Sequence, residues 1–430
     1  MKFHHLVVEF HRKCYNAIMY QRHIQPLILD ALEDTPVIVI SGARQTGKST
    51  LCEQLIESNA FDAAYITFDN PAILRIARED PLGFLRSQKK HVVLDEIQRA
   101  PELLISIKQL VDEDRKNRRY ILTGSAEVMT LPKVSDSLAG RIEIHNLWPL
   151  SQDEIKGCKS NLLQLLVGDG TRLEGQKTDW NEIVQMLAVG GYPEVMERKR
   201  QQRREKWYKS YLDSILQKDI QDLANIEGLL EIPNLLGLFA SRVGGLLNLA
   251  EVSRIAQIPQ STLKRYYSLL QQIFLIVEIP AWTPNLEGRF VKSPKVYLND
   301  TGLLCHLQNV EAAHLLRDKN LAGRVLENFV VLELVKQLSW SDTSMQPYHF
   351  RTHRGREVDL VLENRRREIF GIEVKATDTP SPGDFKGLKA LQALKPTQFK
   401  KGIVLYTGEH FLGGFGENLY AVPLSALWEG

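Results

Sequence analysis

The sequence predicts a multidomain α/β protein with two separate sheets, a mostly parallel one near the N-terminus and a second near the C-terminus, joined by helices. Three observations predict it. Four continuous apolar runs, PVIVIS (36–41), AYITFD (64–69), HVVLDE (91–96) and RYILTGS (119–125), alternate with helix-like segments such as KSTLCEQLIES and PELLISIKQLVDED. From about residue 151 to 240 the pattern turns helical. Strand-like runs then return at EVDLVLE, IFGIEVKA and KGIVLY.

Each element has a physical reason. The four early runs are apolar throughout rather than alternating, as strands buried on both faces require. Strand and helix in alternation imply parallel pairing with crossover helices. A fifth run, IEIHNLWPLS, closes this region. Further on, NLAEVSRIAQIPQSTLKRYYSLLQQIFLIVEIPAW and then KVYLND read as helix, short turn, helix and strands, the order of a winged helix-turn-helix. TDTPSPGD (377–384) is a loop, and no internal repeat or low-complexity linker interrupts the chain. A length of 430 residues suits roughly two to four domains.

Composition narrows the function classes. The net charge is only +2, so any nucleic-acid site must be a local patch. The four cysteines, Cys14, Cys52, Cys158 and Cys305, are far apart and form no CxxC pair. Neither a disulfide scaffold nor a zinc site is expected, which fits a reducing cytoplasm. No apolar run is long enough to span a bilayer, and no membrane partner is expected. The opening MKFHHLVVEFHRKCYNAIMYQRHI breaks its apolar patch with charge and histidine, unlike a signal peptide.

Gly42-Ala43-Arg44-Gln45-Thr46-Gly47-Lys48-Ser49 fits GxxxxGK[ST] position by position, with Thr50 following. Such glycines let the backbone curl until successive N–H groups face phosphate oxygens, and the next helix adds the positive end of its dipole. Lys48 would supply charge to the β- and γ-phosphates, and the Ser49 hydroxyl would ligate Mg²⁺. A chance glycine-rich loop has no reason to keep strand, loop and helix in this order. HVVLDE ends in Asp95-Glu96: Asp95 suits the Mg²⁺ shell, and Glu96 suits polarising a water for attack on the γ-phosphate. Thr123 or Ser125, at the polar end of RYILTGS, could sense the γ-phosphate. Arg141 has two readings, an arginine finger reaching a nucleotide across a subunit interface or an ordinary ion-paired arginine. Arg44 either touches phosphate or points to solvent.

The C-terminal region carries a second constellation. Asp359 falls in GREVDLVLE, and Glu373 and Lys375 fall two apart in IFGIEVKA, hence on one face of a strand with Val374 opposite. An adjacent antiparallel strand would bring Asp359 beside Glu373, and two adjacent carboxylates call for a cation between them. A lysine beside a metal-bound water can orient it in phosphodiester cleavage. Glu327, on an amphipathic helix GRVLENFVVLEL, supplies a third acid. An exposed hairpin with a salt bridge would give the same spacing; the local GREVD and IEVK contexts favour the metal reading.

In the helix-turn-helix candidate, AEVSRIA is the first helix, IPQ the turn and STLKRYYSLLQQI the second helix, with Ser261 as its N-cap. Thr262, Lys264, Arg265 and Tyr266 would be early exposed residues able to reach phosphates or base edges. Such a module can equally serve protein contact alone. The basic run ERKRQQRREKWYK (197–209) reads as a solvated helix or a phosphate-tracking patch, with Trp207 and Tyr208 as core anchors.

Taken together, RHIQPLILDAL before GARQTGKST, VVLDEIQRAPELL, ILTGSA, SLAGRIE, GGYPEV, YLDSILQKDI, KVYLNDTGLL, GRVLENFVVLEL, GREVDLVL and GIEVKA resemble prokaryotic AAA-family ATPases that carry a C-terminal domain of unknown function related to PD-(D/E)xK nucleases. The resemblance implies an ATPase core at 19–158 with its P-loop strand placed centrally, and a helical lid or linker at 159–227. It further implies a winged-helix segment at 228–312 and a restriction-endonuclease-like domain at 313–430 in which Glu327, Asp359, Glu373 and Lys375 match the nuclease signature. Residues 1–18 stand outside it as an extension. The expected function is Mg²⁺-dependent ATP binding and hydrolysis coupled to DNA binding, with DNA cleavage at a C-terminal Mg²⁺ or Mn²⁺ site. The rivals are an ATP-driven switch or scaffold whose nuclease-like domain only binds DNA or a partner, and an ATPase acting on protein clients. AAA-type cores often work as rings, so a homo-oligomer would let Arg141 act in trans.

Overall fold

The computed structural model describes residues 19–125, 138–160, 162–168, 178–217 and 232–429. The expected extension at 1–18 and parts of the predicted linker lie outside them. Helix α1 (Gln25–Asp34) has a proline in its first turn, where a missing N–H is harmless, and leads into β1 (Val37–Ser41). Val37 and Val39 join one apolar cluster and Ile38 and Ile40 the other. The same division holds in β3 (His91–Asp95), with Val92 and Leu94 against Val93, and in β4 (Arg119–Gly124), with Tyr120 and Leu122 against Ile121. Both faces are covered, which explains the unbroken apolar runs.

With β2 (Ala64–Thr67) and β5 (Ile142–Asn146), these strands form a parallel sheet in the order β2-β3-β4-β1-β5. The centre belongs to β4, whereas β1 sits beside it next to the edge strand β5. The expectation of a central P-loop strand is corrected to an interior one. Helices α2 (Lys48–Glu57), α3 (Pro71–Glu79), α4 (Pro81–Arg86) and α5 (Leu103–Glu113) complete this layer.

Helix α6 (Gln152–Lys156) opens the helical stretch with a capping box, Ser151 and Glu154 bonding reciprocally. Helices α7 (Leu162–Val167), α8 (Trp180–Val189), α9 (Pro193–Met196), α10 (Gln201–Gln217) and α11 (Ile232–Ala240) follow. Then come α12 (Leu249–Ala256) and α13 (Gln260–Gln272), joined by a turn at Gln257, which is left-handed with φ 56°. Strand β6 (Ile276–Ile279), α14 (Leu286–Val291) and β7 (Lys295–Leu298) complete this segment; β6 and β7 pair antiparallel, and Leu246 bridges Lys295 on its other side.

Two short helices, α15 (Thr301–Leu307) and α16 (Ala312–Arg317), precede α17 (Lys319–Trp340). This long helix corrects the amphipathic reading. Val325, Leu326, Phe329, Val330, Val331, Leu332 and Leu334 are all buried, because the sheet packs on one side and α8, α15, α16 and β7 on the others. The second sheet runs β12-β11-β10-β9-β8, built from β8 (Met345–Arg351), β9 (Glu357–Asn364), β10 (Ile369–Lys375), β11 (Phe399–Tyr406) and β12 (Leu419–Pro423). Strands β8, β9 and β10 pair antiparallel and β10, β11 and β12 parallel. Phe370, Ile372 and Val374 face α17, and Ile369 faces α18 (Lys386–Leu394) with Leu388 and Leu391.

Helix α17 also docks on the first layer. The Gln152 N–H donates to Glu333 Oε2 at 2.8 Å, and Lys336 Nζ donates to Leu150 O at 3.0 Å and to Glu333 Oε1 at 2.8 Å. Among the described residues no helix is long and apolar enough to cross a membrane.

Candidate functional site

Local sequence builds the loop between β1 and α2. A Cβ on Gly42 would stand 2.2 Å from Leu147 O, so only glycine lets the loop pass the end of β5. Gly47 takes φ 94°, in the left-handed region, and hands the chain to α2. Thr46 is buried and its hydroxyl donates to Ala43 O at 2.9 Å, holding the curl. Gln45 is exposed at the loop tip, Ala43 is buried, Arg44 is half-buried, and Thr50 lies on the exposed side of the first turn of α2. Lys48 folds over the loop, its Nζ donating to Gly42 O at 2.9 Å and Ala43 O at 2.8 Å.

The acid pair stands across from this loop. Ser49 Oγ lies 3.2 Å from Asp95 Oδ1 and 3.0 Å from Asp95 Oδ2, and the Tyr65 hydroxyl donates to Oδ2 at 2.6 Å. The Thr123 hydroxyl donates to Asp95 Oδ1 and accepts the Glu96 N–H at 3.2 Å. Thr123 therefore props the acid pair, and Ser125 accepts a bond from Gln98 Nε2 at 3.3 Å. Gln98 Nε2 also holds Glu96 Oε2. Glu96 is left-handed at φ 60°, an uncommon conformation for a residue with a Cβ and one that turns its carboxyl away from the strand line. Burial pushes this carboxyl up; Asp95 adds to the push, while Lys48, Gln98 and Arg44 oppose it. A hydroxyl and a carboxylate at hydrogen-bond distance make a hard-oxygen pair of the type Mg²⁺ takes.

Sequence reasoning missed Arg22. It is buried, and its guanidinium donates to Thr46 O at 2.8 Å, Trp148 O at 2.7 Å and Glu154 Oε1 at 3.0 Å. It thus ties the loop to α6. Burial opposes ionisation of Glu154, yet Arg22 and the His23 and Ser151 N–H groups hold its carboxyl below the usual range. Gln98 and Tyr65 were missed as well; the former lies two residues beyond Glu96 in DEIQ, which was the available signal.

Of the two readings of Arg141, the described residues show an arginine ion-paired with Asp112, away from its own chain's nucleotide loop. It immediately precedes β5, its carbonyl accepts the Val37 N–H at the opposite end of β1, and its side chain makes two bonds to Asp112, at 2.7 and 3.0 Å. Sheet direction alone separates it from the loop. In the α12–α13 segment Thr262 is half-buried and Lys264 and Arg265 are exposed, whereas Tyr266 is 2% exposed and belongs to the core. Its position falls on the inner face of α13, so it is unavailable to nucleic acid. Ser261 lies within α13, which begins a residue earlier, and is not its N-cap. Tyr208 is buried and donates to Asp300 Oδ1 at 2.9 Å; Trp207 stacks on Tyr211 at 5.0 Å.

The C-terminal acids do converge. Antiparallel pairing of β9 and β10 brings Asp359 to Glu373, and the Val374 N–H donates to Asp359 Oδ2 at 2.9 Å. Lys375 Nζ donates to Glu373 Oε1 at 2.6 Å. Burial, then the Asp359 charge, pushes Glu327 up to about 7 and Glu373 up to about 8. A residue absent from the sequence-based set stands among them: Lys295 Nζ lies 2.8 Å from Glu327 Oε1, 2.5 Å from Glu357 Oε1 and 3.3 Å from Asp359 Oδ1. Among the described residues no group of three or more His, Cys, Asp or Glu side chains is arranged to hold a metal ion. Of the three expected metal ligands, Glu373 is held by Lys375, and Glu327 and Asp359 both contact the Lys295 ammonium. Its signal was a lone lysine opening the apolar run KVYL.

Residues 34–156 match the family model of an AAA domain. Residues 181–314 and 322–427 match two models described as domains of unknown function, DUF8612 and DUF4143. An uncharacterized protein of Mycobacterium tuberculosis is 28% identical over 396 residues, covering 91% of this chain and 81% of that one. An uncharacterized protein of Methanocaldococcus jannaschii is 22% identical over 385 residues, covering 87% and 82%. Among solved structures, the Thermotoga maritima RuvB Holliday junction branch migration motor aligns with TM-score 0.29 and 16% identity over 61% of this chain and 90% of its own. A STAND protein with a tetratricopeptide repeat sensor from Pyrococcus horikoshii aligns with TM-score 0.27 and 12% identity over 76% and 47%. The parallel five-stranded sheet with its helices fits an AAA P-loop fold, and the AAA match spans all five strands.

Proposed function

We propose that this chain binds Mg·ATP at the β1–α2 loop, hydrolyses it, and couples nucleotide state to DNA binding by its middle and C-terminal segments. The observation that carries the proposal is the Ser49–Asp95 pair, 3.0 Å apart and followed directly by Glu96, beside the Lys48 loop. The loop N–H groups and the α2 N-terminus bind phosphate oxygens, and Lys48 moves from the Gly42 and Ala43 carbonyls to the β- and γ-phosphates. Ser49 and Asp95 would hold the Mg²⁺, which would supply charge neutralisation on the phosphates. Glu96 orients a water and accepts its proton, with Gln98 setting the carboxyl and Thr123 the backbone. An arginine finger in trans from Arg141 requires an oligomer and release from Asp112.

DNA coupling rests on α12, α13 and the β6–β7 pair, whose order is that of a winged helix, and on the exposed Lys264 and Arg265. The switch or scaffold reading, with a C-terminal domain that binds without cutting, is favoured by Lys295 among the acids. The test is calorimetry with Mg·ATP, followed by turnover with and without single-stranded, duplex and branched DNA. Wild-type protein is expected to bind, and Lys48→Ala is expected not to. Wild-type turnover in Lys48→Ala would refute the site. DNA-stimulated turnover without cleavage supports the binding-only reading, and turnover indifferent to every DNA form refutes the coupling.

A further inference from the structure

Four carboxyl groups meet where the middle segment packs on the C-terminal sheet: Glu327 from α17, Glu357 and Asp359 from β9, and Glu373 from β10. From β7, Lys295 reaches into this group. It is 1% exposed, and its ammonium has three partners at 2.5, 2.8 and 3.3 Å, one for each N–H it can donate. Tyr297, two residues on and on the same face of β7, donates its hydroxyl to Glu327 Oε1 at 2.8 Å. The backbone of β7 is itself pinned, by β6 on one side and the Leu246 bridge on the other. Asp359 Oδ2 is held by the Val374 N–H and Glu373 Oε1 by Lys375. Of the buried oxygens of this group, only Glu373 Oε2 lacks a partner among the described residues.

We infer that Lys295 is the resident cation of this cluster: its ammonium takes the position between the helix and strand carboxylates, so the folded chain binds no divalent ion there. A divalent ion would need the same Glu327 and Asp359 oxygens at about 2.0–2.6 Å, in direct repulsion with a cation already bonded to them. The β6–β7 pair acts as a plug, and the acids are neutralised from within the chain. This assignment is independent of nucleotide binding, so it can fail while that reading stands.

The test is titration with Mn²⁺ in the absence of nucleotide, read as free Mn²⁺ by electron paramagnetic resonance. In the wild type, Asp359→Asn is expected to leave Mn²⁺ uptake unchanged. Lys295→Ala is expected to take up one more Mn²⁺ per chain than wild type, and Lys295→Ala/Asp359→Asn to return to the wild-type level. Wild-type uptake that falls with Asp359→Asn overturns the inference, as does a Lys295→Ala protein with wild-type circular dichroism that gains no Mn²⁺. Should Lys295→Ala fail to fold, the wild-type and Asp359→Asn pair decides by itself, and Lys295→Met, which keeps the stem without the charge, repeats the gain test.

Discussion

At Glu96 the backbone turns left-handed one residue past β3, and the carboxyl is pushed up by burial, with Asp95 adding to the push. A base with a raised pKa works only when deprotonated, so turnover should climb as pH rises through that raised value and then level off. Glu96→Gln should keep ATP binding and lose about 10²–10⁴ in turnover, together with that rising limb; a pH–rate profile of both proteins checks it. Residues with local partners were legible at this scale. Gly42 to Ser49 lie within one turn of chain, and Asp95-Glu96 are neighbours. Arg22 was not, since its partners Thr46, Trp148 and Glu154 lie 24, 126 and 132 residues away. No local spacing encodes such a bond.

Helix α13 shows what periodicity resolves and where it stops. Leu263, Tyr266, Tyr267 and Leu270 fall at helical spacing and are buried, which leaves Lys264 and Arg265 on the outer face. Counting residues from the presumed cap put Tyr266 outside; counting by helical spacing puts it inside. If the outer face tracks phosphate, Lys264→Glu/Arg265→Glu should weaken DNA binding and flatten the dependence of log affinity on log salt by about 0.9 per lost contact. Fluorescence anisotropy across a salt series measures both, and an unchanged slope removes these residues from the interface. Helix α17 misled for a different reason. Its apolar residues surround the axis because the sheet and several helices close over it, and no single-helix pattern states how many neighbours will pack around it.

For the molecule as a whole, α17 is the shared beam: Glu333 and Lys336 dock it on Leu150 and Gln152 beside the first sheet, and Glu327 carries the acids at its other half. Those acids also bias stability. Burial, and then Asp359, raise Glu373 to about 8 from an ordinary value of 4.5, so the folded chain retains a proton there that the unfolded chain releases. The associated stability is fully present below about pH 4.5 and is lost as pH rises toward 8. Glu373→Gln, which cannot titrate, should make the unfolding midpoint fall less than wild type between pH 5 and pH 8, by about a few degrees; thermal unfolding by circular dichroism reads the difference. An equal slope in both proteins would mean that Glu373 ionises normally. The amino-acid sequence by itself determined the two sheets, the curled glycine loop and the acid pair at the end of β3, because these depend on runs, turns and spacings along one stretch of chain. Only the tertiary structure decided that Arg22 braces the loop, that Tyr266 lies inside and that Lys295 stands among the C-terminal acids, because each depends on segments remote in the chain being brought together, and charge and burial act through space.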